Sequence, residues 1–517
     1  MARNSTWNRA VADLARDLGI YELVVKQHWH DLDRTLAPTT AVQALLGQLD
    51  SGSPTKAPNT TKAARKTVAA APRPFARTGS NLYQWQQEAL TAWEAADRQG
   101  VVQAVTGTGK TRLGIEAAFG ELRAGGQVLV VVPTRTLLNQ WHSNLEDTHA
   151  LRAANTRVGL LGDGRFANFT GSDLIVSTIQ SADGLRPPTR GLIVADECHR
   201  YGSDAWFNAL HPQFSARLGL TATYERGDDG DSRLAQYFGE QPVYDIAYER
   251  AIRDGVVAHF KLAFVGARLS PQDKTEYENT EAKLKKSRST LVAGFRLRAD
   301  PHADFMKDVA KAAAGKWPTD PGGARQLAIR YMSAFQRRAR ILAESEAKTR
   351  RLADLRPVAD SARGTLIFTQ TISAATTAAE LYSNVGQGAA VISSELSSDE
   401  RERLLTSFRE GGKSVITAPR VLDEGVDVPD ADLAIVVTAS SSRRQMIQRM
   451  GRVLRKKQDG RLARMVILYA EGTIEDPNKG AHESFNDIAW DVADSAMIFG
   501  SHKRADDIHR FLLEPSV

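Results

Sequence analysis

The sequence predicts an α/β protein made of two tandem parallel-sheet domains, with a basic helical insertion between them and a small helical module in front. Three observations carry this. Short, almost wholly apolar runs of strand length recur in two series, one within 81–250 and one within 361–472. Helical stretches separate the runs, and apolar strands that alternate with helices build parallel sheets covered on both faces. The 517 residues leave room for about three domains of roughly 150 residues each, every one large enough to bury a core.

Taken in order, residues 1–50 carry apolar positions at helical spacing (Val11, Leu14, Leu18, then Leu23, Val24, Trp29, Leu32), which predicts a helical hairpin, or a helix-turn-helix with Gly19 at its turn. Residues 51–80 hold six Lys/Arg and no acid among Pro, Ser, Thr and Ala, and read as a flexible basic linker. The first strand series is VVQAV, QVLVVVP, DLIVST, GLIVADE and ARLGLTAT; a helix-rich connection over 251–360 follows it. The second series is GTLIFTQ, AAVISS, KSVITA, DLAIVVTA and RMVILYA, and a helical tail over 473–517 is expected after it.

Charge is unevenly placed. The net charge is +6, yet 281–356 alone has eighteen Lys/Arg against eight Asp/Glu, so outside this segment and the linker the chain is acidic. Two cationic segments invite a nucleic-acid partner. A 42% hydrophobic and 25% charged composition is that of an ordinary globular chain. No apolar run approaches the roughly 18 residues of a membrane span, and the first residues lack an apolar secretory core, so no membrane role and a cytoplasmic location are expected. The single cysteine, Cys198, excludes an intramolecular disulfide and a cysteine-rich zinc site.

The chemistry starts at VVQAVTGTGKTRL. Ala104, four residues, then Gly109, Lys110 and Thr111 fit a P-loop with alanine for its first glycine, placed after a strand and before a helix. Backbone N–H groups of Thr106, Gly107, Thr108 and Gly109 would wrap phosphate oxygens, Lys110 would reach the β/γ-phosphates, and Thr111 would offer its hydroxyl to Mg²⁺. ATP and Mg²⁺ are the cofactors this implies. Such a site needs a metal carboxylate and a base at the end of a buried strand, and GLIVADECHR supplies both: Asp196 for the metal, Glu197 for water. Cys198 and His199 next to them lack the partners of a zinc site.

With these residues in view, the chain resembles the superfamily 2 helicases and translocases over about 82–470. LYQWQQEAL is similar to the adenine-reading Q-motif, with Gln86 as the glutamine and Tyr83 where a basic residue is common. VVPTRTLLNQW and STIQS resemble motifs Ia and Ib, which implies that Thr134, Arg135 and Thr178 touch the strand. DECH stands for motif II. GLTATYERGDDGD resembles motif III of the XPB-like branch, with Thr221 and Thr223 as coupling residues and tyrosine for the usual proline. TLIFTQT, ITAPRVLDEGVDVPDAD and QRMGRVLRK resemble motifs IV, V and VI. The resemblance places Gly425 and Asp427 at the nucleotide and strand, and makes Gln448, Arg452 and Arg455 catalytic from across the cleft, the two arginines as fingers. A guanidinium there would stabilise charge spreading on the transferred phosphoryl group.

The resemblance implies two RecA-like domains closing on ATP, and a motor on nucleic acid. DECH, TAT, a glutamine-led motif VI and the basic insertion resemble XPB-like and phage branched-DNA helicases, so DNA is favoured over RNA. Arg337, Arg338 and Arg340, within one turn of RRARILAESEAKTRRLADL, are the expected phosphate contacts of the insertion, with Lys348, Arg350 and Arg351 farther along the same helix. Rival readings are the motor subunit of a restriction or defence complex, an RNA helicase, and an ATP-gated annealing protein. Residues 1–50 are the expected surface for protein partners.

Overall fold

The computed structural model describes residues 82–147, 155–188, 190–224, 230–300, 302–384, 388–419, 431–438, 460–479, 489–490 and 492–514. The helical module expected over 1–50 and the linker over 51–80 lie outside them. Among the described residues no helix is long and apolar enough to cross a membrane.

The first sheet has seven strands in the order β3-β4-β2-β5-β6-β1-β7. They are β1 (Gln99–Ala104), β2 (Gln127–Val132), β3 (Val158–Leu161), β4 (Leu174–Thr178), β5 (Gly191–Asp196), β6 (Ala216–Thr221) and β7 (Tyr244–Ile246). Every pairing is parallel. All positions of β4 and β5 are buried, as their apolar runs require when helices cover both faces. Helix α1 (Gln84–Ala95) lays Trp85, Ala89 and Trp93 on the sheet, and the Trp93 indole N–H donates to Arg217 O at 2.9 Å. Helix α2 (Lys110–Arg123) follows β1 directly. Helix α3 (Arg135–Glu146) follows β2; the Thr134 hydroxyl accepts from Leu137 N at its start, and Leu137, Leu138, Trp141 and Leu145 form its buried face.

The second sheet is wider than expected. Its order is β10-β11-β9-β12-β13-β8-β14, again all parallel. The strands β9 (Thr365–Thr369), β10 (Ala389–Val391), β11 (Val415–Pro419), β12 (Leu433–Val436) and β13 (Ala463–Ala470) fall inside the expected 361–472, but β8 (Phe260–Ala267) and β14 (Ser495–Phe499) do not. Residues 251–360 and 473–517 therefore each give the sheet a strand. The first, FKLAFVGA, is buried at all eight positions and stands beside the basic helices that made 251–360 read as a helical connection. The second is short and half-buried.

The insertion is thus three helices inside the second domain, between β8 and β9: α4 (Pro271–Phe295), α5 (His302–Ala313) and α6 (Pro321–Ala343). They have a core of their own, with Leu284, Leu291, Phe305, Val309, Ala328 and Tyr331 at its centre. The single helix expected through 337–355 breaks at Glu344 and Ser345, and α7 (Glu346–Asp354) turns onto the sheet. Lys348 and Arg351 go with it. Arg351 donates to the carbonyls of Gly266, Gly500, Ser501 and Lys503 at 3.0–3.2 Å. Lys348 is fully buried, donating to Val437 O at 2.8 Å and Glu475 Oε2 at 2.5 Å. Neither side chain is placed to meet a strand in solvent, which corrects that part of the expectation.

Candidate active site

Strands β5, β6 and β1 are consecutive in the first sheet, and their carboxyl ends bring together the residues of three separate stretches of sequence. Ligands of open parallel sheets bind at this edge. The loop after β1 carries Gly107 and Gly109, both at φ +91°, a conformation that glycine adopts without steric cost. Gly109 is the N-cap of α2. A β-carbon at Gly109 would stand 2.9 Å from Gln86 Nε2, so the loop is held closely as well as turned.

Gln86 is the strut. It is 1% exposed; its amide N–H donates to Gly109 O at 2.9 Å and its carbonyl oxygen accepts from Tyr83 N at 2.9 Å. The side chain expected to read adenine is in this structure a brace between the start of α1 and the loop. Thr108 Oγ1 donates to Val105 O at 2.8 Å inside the same loop. Lys110 Nζ donates to Ala104 O at 2.8 Å. The Thr106 hydroxyl is buried and has no partner among the described residues. A buried polar group left unmade costs about 1–3 kcal/mol, so a loop with a lysine and an unused hydroxyl fits an incoming phosphate. Thr111 is half-buried in the first turn of α2.

Asp196 closes β5, and Glu197 follows with φ +49°. Asp196 is 4% exposed, and burial raises its pKa above the ordinary carboxylate value; the Trp141 indole N–H, the Lys110 ammonium and the Glu197 backbone N–H oppose that rise. The Trp141 Nε1–H donates to Asp196 Oδ2 at 2.8 Å, and Glu197 N donates to Asp196 Oδ1 at 3.0 Å. A carboxylate kept in so dry a place beside a lysine suits a cation as its third partner. His199 Nδ1 lies 3.5 Å from Glu197 Oε2 and 2.9 Å from Thr221 Oγ1, and that hydroxyl donates to Thr223 O at 2.8 Å. His199 is therefore hydrogen-bonded to Thr221 and close to the Glu197 carboxylate, and Thr221 continues to Thr223. Cys198 is buried, its thiol pushed well up by burial and the neighbouring carboxylates, and it packs in the core.

Gln448, Arg452 and Arg455, with Gly425 and Asp427, lie outside the described residues.

Residues 79–226 match the type III restriction enzyme, res subunit family, and residues 347–457 match the helicase conserved C-terminal domain. The DNA 3'-5' translocase XPB2 of Sulfurisphaera tokodaii is 29% identical over 413 residues, 78% of this chain and 85% of that one. The DNA 3'-5' helicase XPB of Kineococcus radiotolerans is 25% identical over 451 residues, 84% of this chain and 68% of that one. The chain is a helicase, similar to the XPB-like branch of superfamily 2. Not every such relative is spanned so fully: the putative DNA 3'-5' helicase Rad25 of Haloarcula marismortui is 29% identical over 394 residues, and this chain covers 50% of its length. A solved structure of S. cerevisiae Dbp5 bound to RNA and ADP BeF3 shares the fold, with a TM-score of 0.52 at 13% identity, over 83% of this chain and 92% of that one.

In this helicase the expected strand contacts of the first domain share one edge. Thr134 caps α3 at the end of β2, and Arg135 beside it is 70% exposed with a 3.0 Å bridge to Asp163. Thr178 ends β4, its hydroxyl donating to Ser181 Oγ at 3.1 Å. The insertion is different. Arg337 is paired with Glu276, Arg338 donates to Glu281 Oε2 at 2.7 Å and lies over the Phe335 ring, and Arg340 is exposed. Two of the three guanidiniums thus tie α6 to α4. Sequence reasoning missed Trp141 and the bridging role of His199. The signal for the first was a tryptophan one residue beyond the glutamine of LLNQW, too large for a solvated helix face; for the second it was the histidine that ends DECH.

Proposed function

We propose that this helicase is an ATP-driven translocase on DNA that moves in the 3'-5' direction. The observation that carries the ATPase reading is the convergence of Lys110, Asp196, Glu197, His199, Thr221 and Thr223 at the carboxyl ends of β1, β5 and β6. DNA and direction are supported by the XPB-like relatives, a DNA 3'-5' translocase and a DNA 3'-5' helicase.

In this reading Lys110 leaves the Ala104 carbonyl for the β/γ-phosphates, while the N–H groups of 106–109 and the Thr106 hydroxyl take the phosphate oxygens. Thr111 and Asp196 would hold Mg²⁺, which neutralises phosphate charge when bound. Glu197 orients the attacking water and takes its proton; the water oxygen bonds to the γ-phosphorus as the bond to the ADP oxygen breaks. Gln86 keeps the loop in place from behind, so its contact with adenine is secondary to that brace. Because His199 touches both Glu197 and Thr221, a change at the base reaches the TAT segment without a rearranged core. Gln448, Arg452 and Arg455 complete the cleft from the second domain, with Gly425 and Asp427 beside nucleotide and strand. The strand runs over Thr134, Arg135 and Thr178, and Arg340 is the insertion residue best placed to meet phosphate. Cytoplasmic residence, and protein partners held through residues 1–50, belong to the same reading.

The test is strand displacement from duplexes with a 3' or a 5' single-stranded tail, paired with nucleotide binding. Lys110→Ala loses ATP binding and displacement together. Glu197→Gln keeps ATP binding and loses hydrolysis, since one residue holds phosphate and the other activates water. Displacement only from 5' tails would overturn the direction, and parent-rate hydrolysis by Glu197→Gln would overturn the assignment of the base. The match to a restriction-enzyme family over 79–226 favours one second reading, a motor within a restriction complex. Metal-dependent cutting of DNA by the purified chain would select it.

A further inference from the structure

We propose that Phe166 is a stacking platform for an unpaired base of the strand that crosses the first domain. The inference rests on the nucleic-acid reading above. Among the described residues Phe166 is the most exposed large apolar side chain, at 91%, with Ile329 next at 48%. Single exposed apolar residues are common on protein surfaces. What sets Phe166 apart is how firmly its loop is held and where it points.

The loop leaves β3 through a tight turn in which Gly162 N donates to Arg165 O at 2.9 Å and Arg165 N donates to Gly162 O at 3.1 Å. Gly162, at φ +111°, sits so close to the end of β4 that a β-carbon there would lie 2.6 Å from Thr178 Oγ1 and 2.9 Å from Ser181 Oγ. Arg165 Nη2 donates to Asn139 Oδ1 on α3 at 2.8 Å. Beyond Phe166 the chain is pinned again: Asn168 Oδ1 accepts from Thr170 N and Gly171 N at 3.1 and 3.0 Å, and Gln127 Nε2 donates to Phe169 O at 2.8 Å. Phe169 turns inward and meets Phe214 edge-on, with ring centroids 6.4 Å apart. One aromatic anchors the loop from below, and the other is held out in water between two fixed turns.

Position supplies the ligand. β3, β4 and β2 are neighbours in the sheet, so the loop shares its edge with Thr178 and with Thr134 and Arg135. Arg135 and Arg165 flank it, and Asp163 bridges both, leaving one cation in excess. An aromatic face among cations on a strand-binding edge is the chemistry of single-stranded DNA grooves, where phosphates meet the charges and a base meets the ring. A protein partner would need a wider apolar patch. Here the exposed neighbours are Asp163, Gly164, Asn168 and Thr170.

The experiment is fluorescence anisotropy of a labelled single-stranded dT oligomer with the full chain, over a salt series. Phe166→Ala weakens binding about tenfold, within the range of base-aromatic stacking. Phe166→Tyr and Phe166→Trp stay near the parent. The slope of log affinity against log salt is unchanged in Phe166→Ala, whereas Arg135→Ala shallows it by about 0.7 if it meets a phosphate. On an abasic oligomer of equal length the Phe166→Ala deficit disappears, because no base remains to stack. A matching thermal midpoint for Phe166→Ala shows that the loss is not one of folding. Parent-like binding by Phe166→Ala, or an equal deficit on the abasic strand, overturns the inference and leaves the motor reading standing. A parent protein that binds no strand overturns both.

Discussion

Replacing Lys348 by methionine removes one charge from a pair that solvent does not reach. Lys348 is 0% and Glu475 2% exposed at the side chain, and their atoms meet at 2.5 Å. Burial lowers the pKa of the lysine and raises that of the glutamate, and each opposes the other's shift. Methionine matches the length of the stem but leaves Val437 O without its donor and Glu475 without its counter-charge; Glu475 Oε1 already has no hydrogen-bond partner among the described residues. Breaking a buried pair from one side costs about 3–5 kcal/mol. At 1.4 kcal/mol per decade this is about two to four decades in an opening equilibrium. The pair joins the ends of β12 and β13, so the effect should be local. Hydrogen-deuterium exchange of peptides covering 431–438 and 463–470 is the assay, because amide exchange reads sub-global opening in one domain of a two-domain protein. Lys348→Met should raise exchange there by those decades and leave 127–132 unchanged. Adding Glu475→Leu should recover a large part of the loss, since replacing both charges by apolar groups is far cheaper than orphaning one. A rise of less than tenfold, or a double variant worse than the single one, would refute the reasoning.

Other outcomes follow from the first domain and the insertion. Because burial raises the folded-state pKa of Asp196, its stabilising contribution is present in acid and is lost as pH rises through that value. Asp196→Asn, which does not titrate but keeps one acceptor oxygen for the two N–H donors, should therefore lose the part of the parent's melting-point change between acid and neutral pH that Asp196 causes, and lose ATP hydrolysis; a pH dependence equal to the parent's contradicts this. Gln86→Ala removes the donor to Gly109 O and the acceptor of Tyr83 N, so it should raise the KM for ATP and cost about 1–3 kcal/mol in calorimetric unfolding, with guanosine and adenosine nucleotides affected alike. Neutralising Arg337, Arg338 and Arg340 together should shallow the salt slope of DNA binding by about 0.7–0.9, the share of one phosphate contact, because Glu276 and Glu281 hold two of the three. A drop of three such units would mean that both ion pairs open on DNA.

Most of the first domain was legible because its strands are apolar on both faces and its motif residues stand at strand ends, where spacing in the sequence becomes proximity in the sheet. GLIVADECHR shows both: six buried positions that end in Asp196, then Glu197 at the edge. The second domain was legible only in its middle. Its outer strands β8 and β14 come from before the insertion and from near the end of the described chain, and pairing across more than 200 residues leaves no local trace. Lys348 and Arg351 were misread for a related reason. A basic residue on a helix looks solvated until a distant carboxylate or a row of carbonyls is known to face it, and Glu475 and Gly500 are distant in sequence. The bracing role of Gln86 was not legible for a simpler cause: an amide has donors and acceptors to spare, and the sequence does not say which neighbour takes them.

The central claim, an ATP motor driven by DNA, is tested most directly by steady-state ATP hydrolysis with no nucleic acid, then with single-stranded, duplex and forked DNA and with RNA of matched sequence. A low rate alone, a clear rise with DNA, a smaller one with RNA, and no rise in Glu197→Gln are the expected results. Hydrolysis indifferent to nucleic acid, or stimulated by RNA as strongly as by DNA, would contradict it.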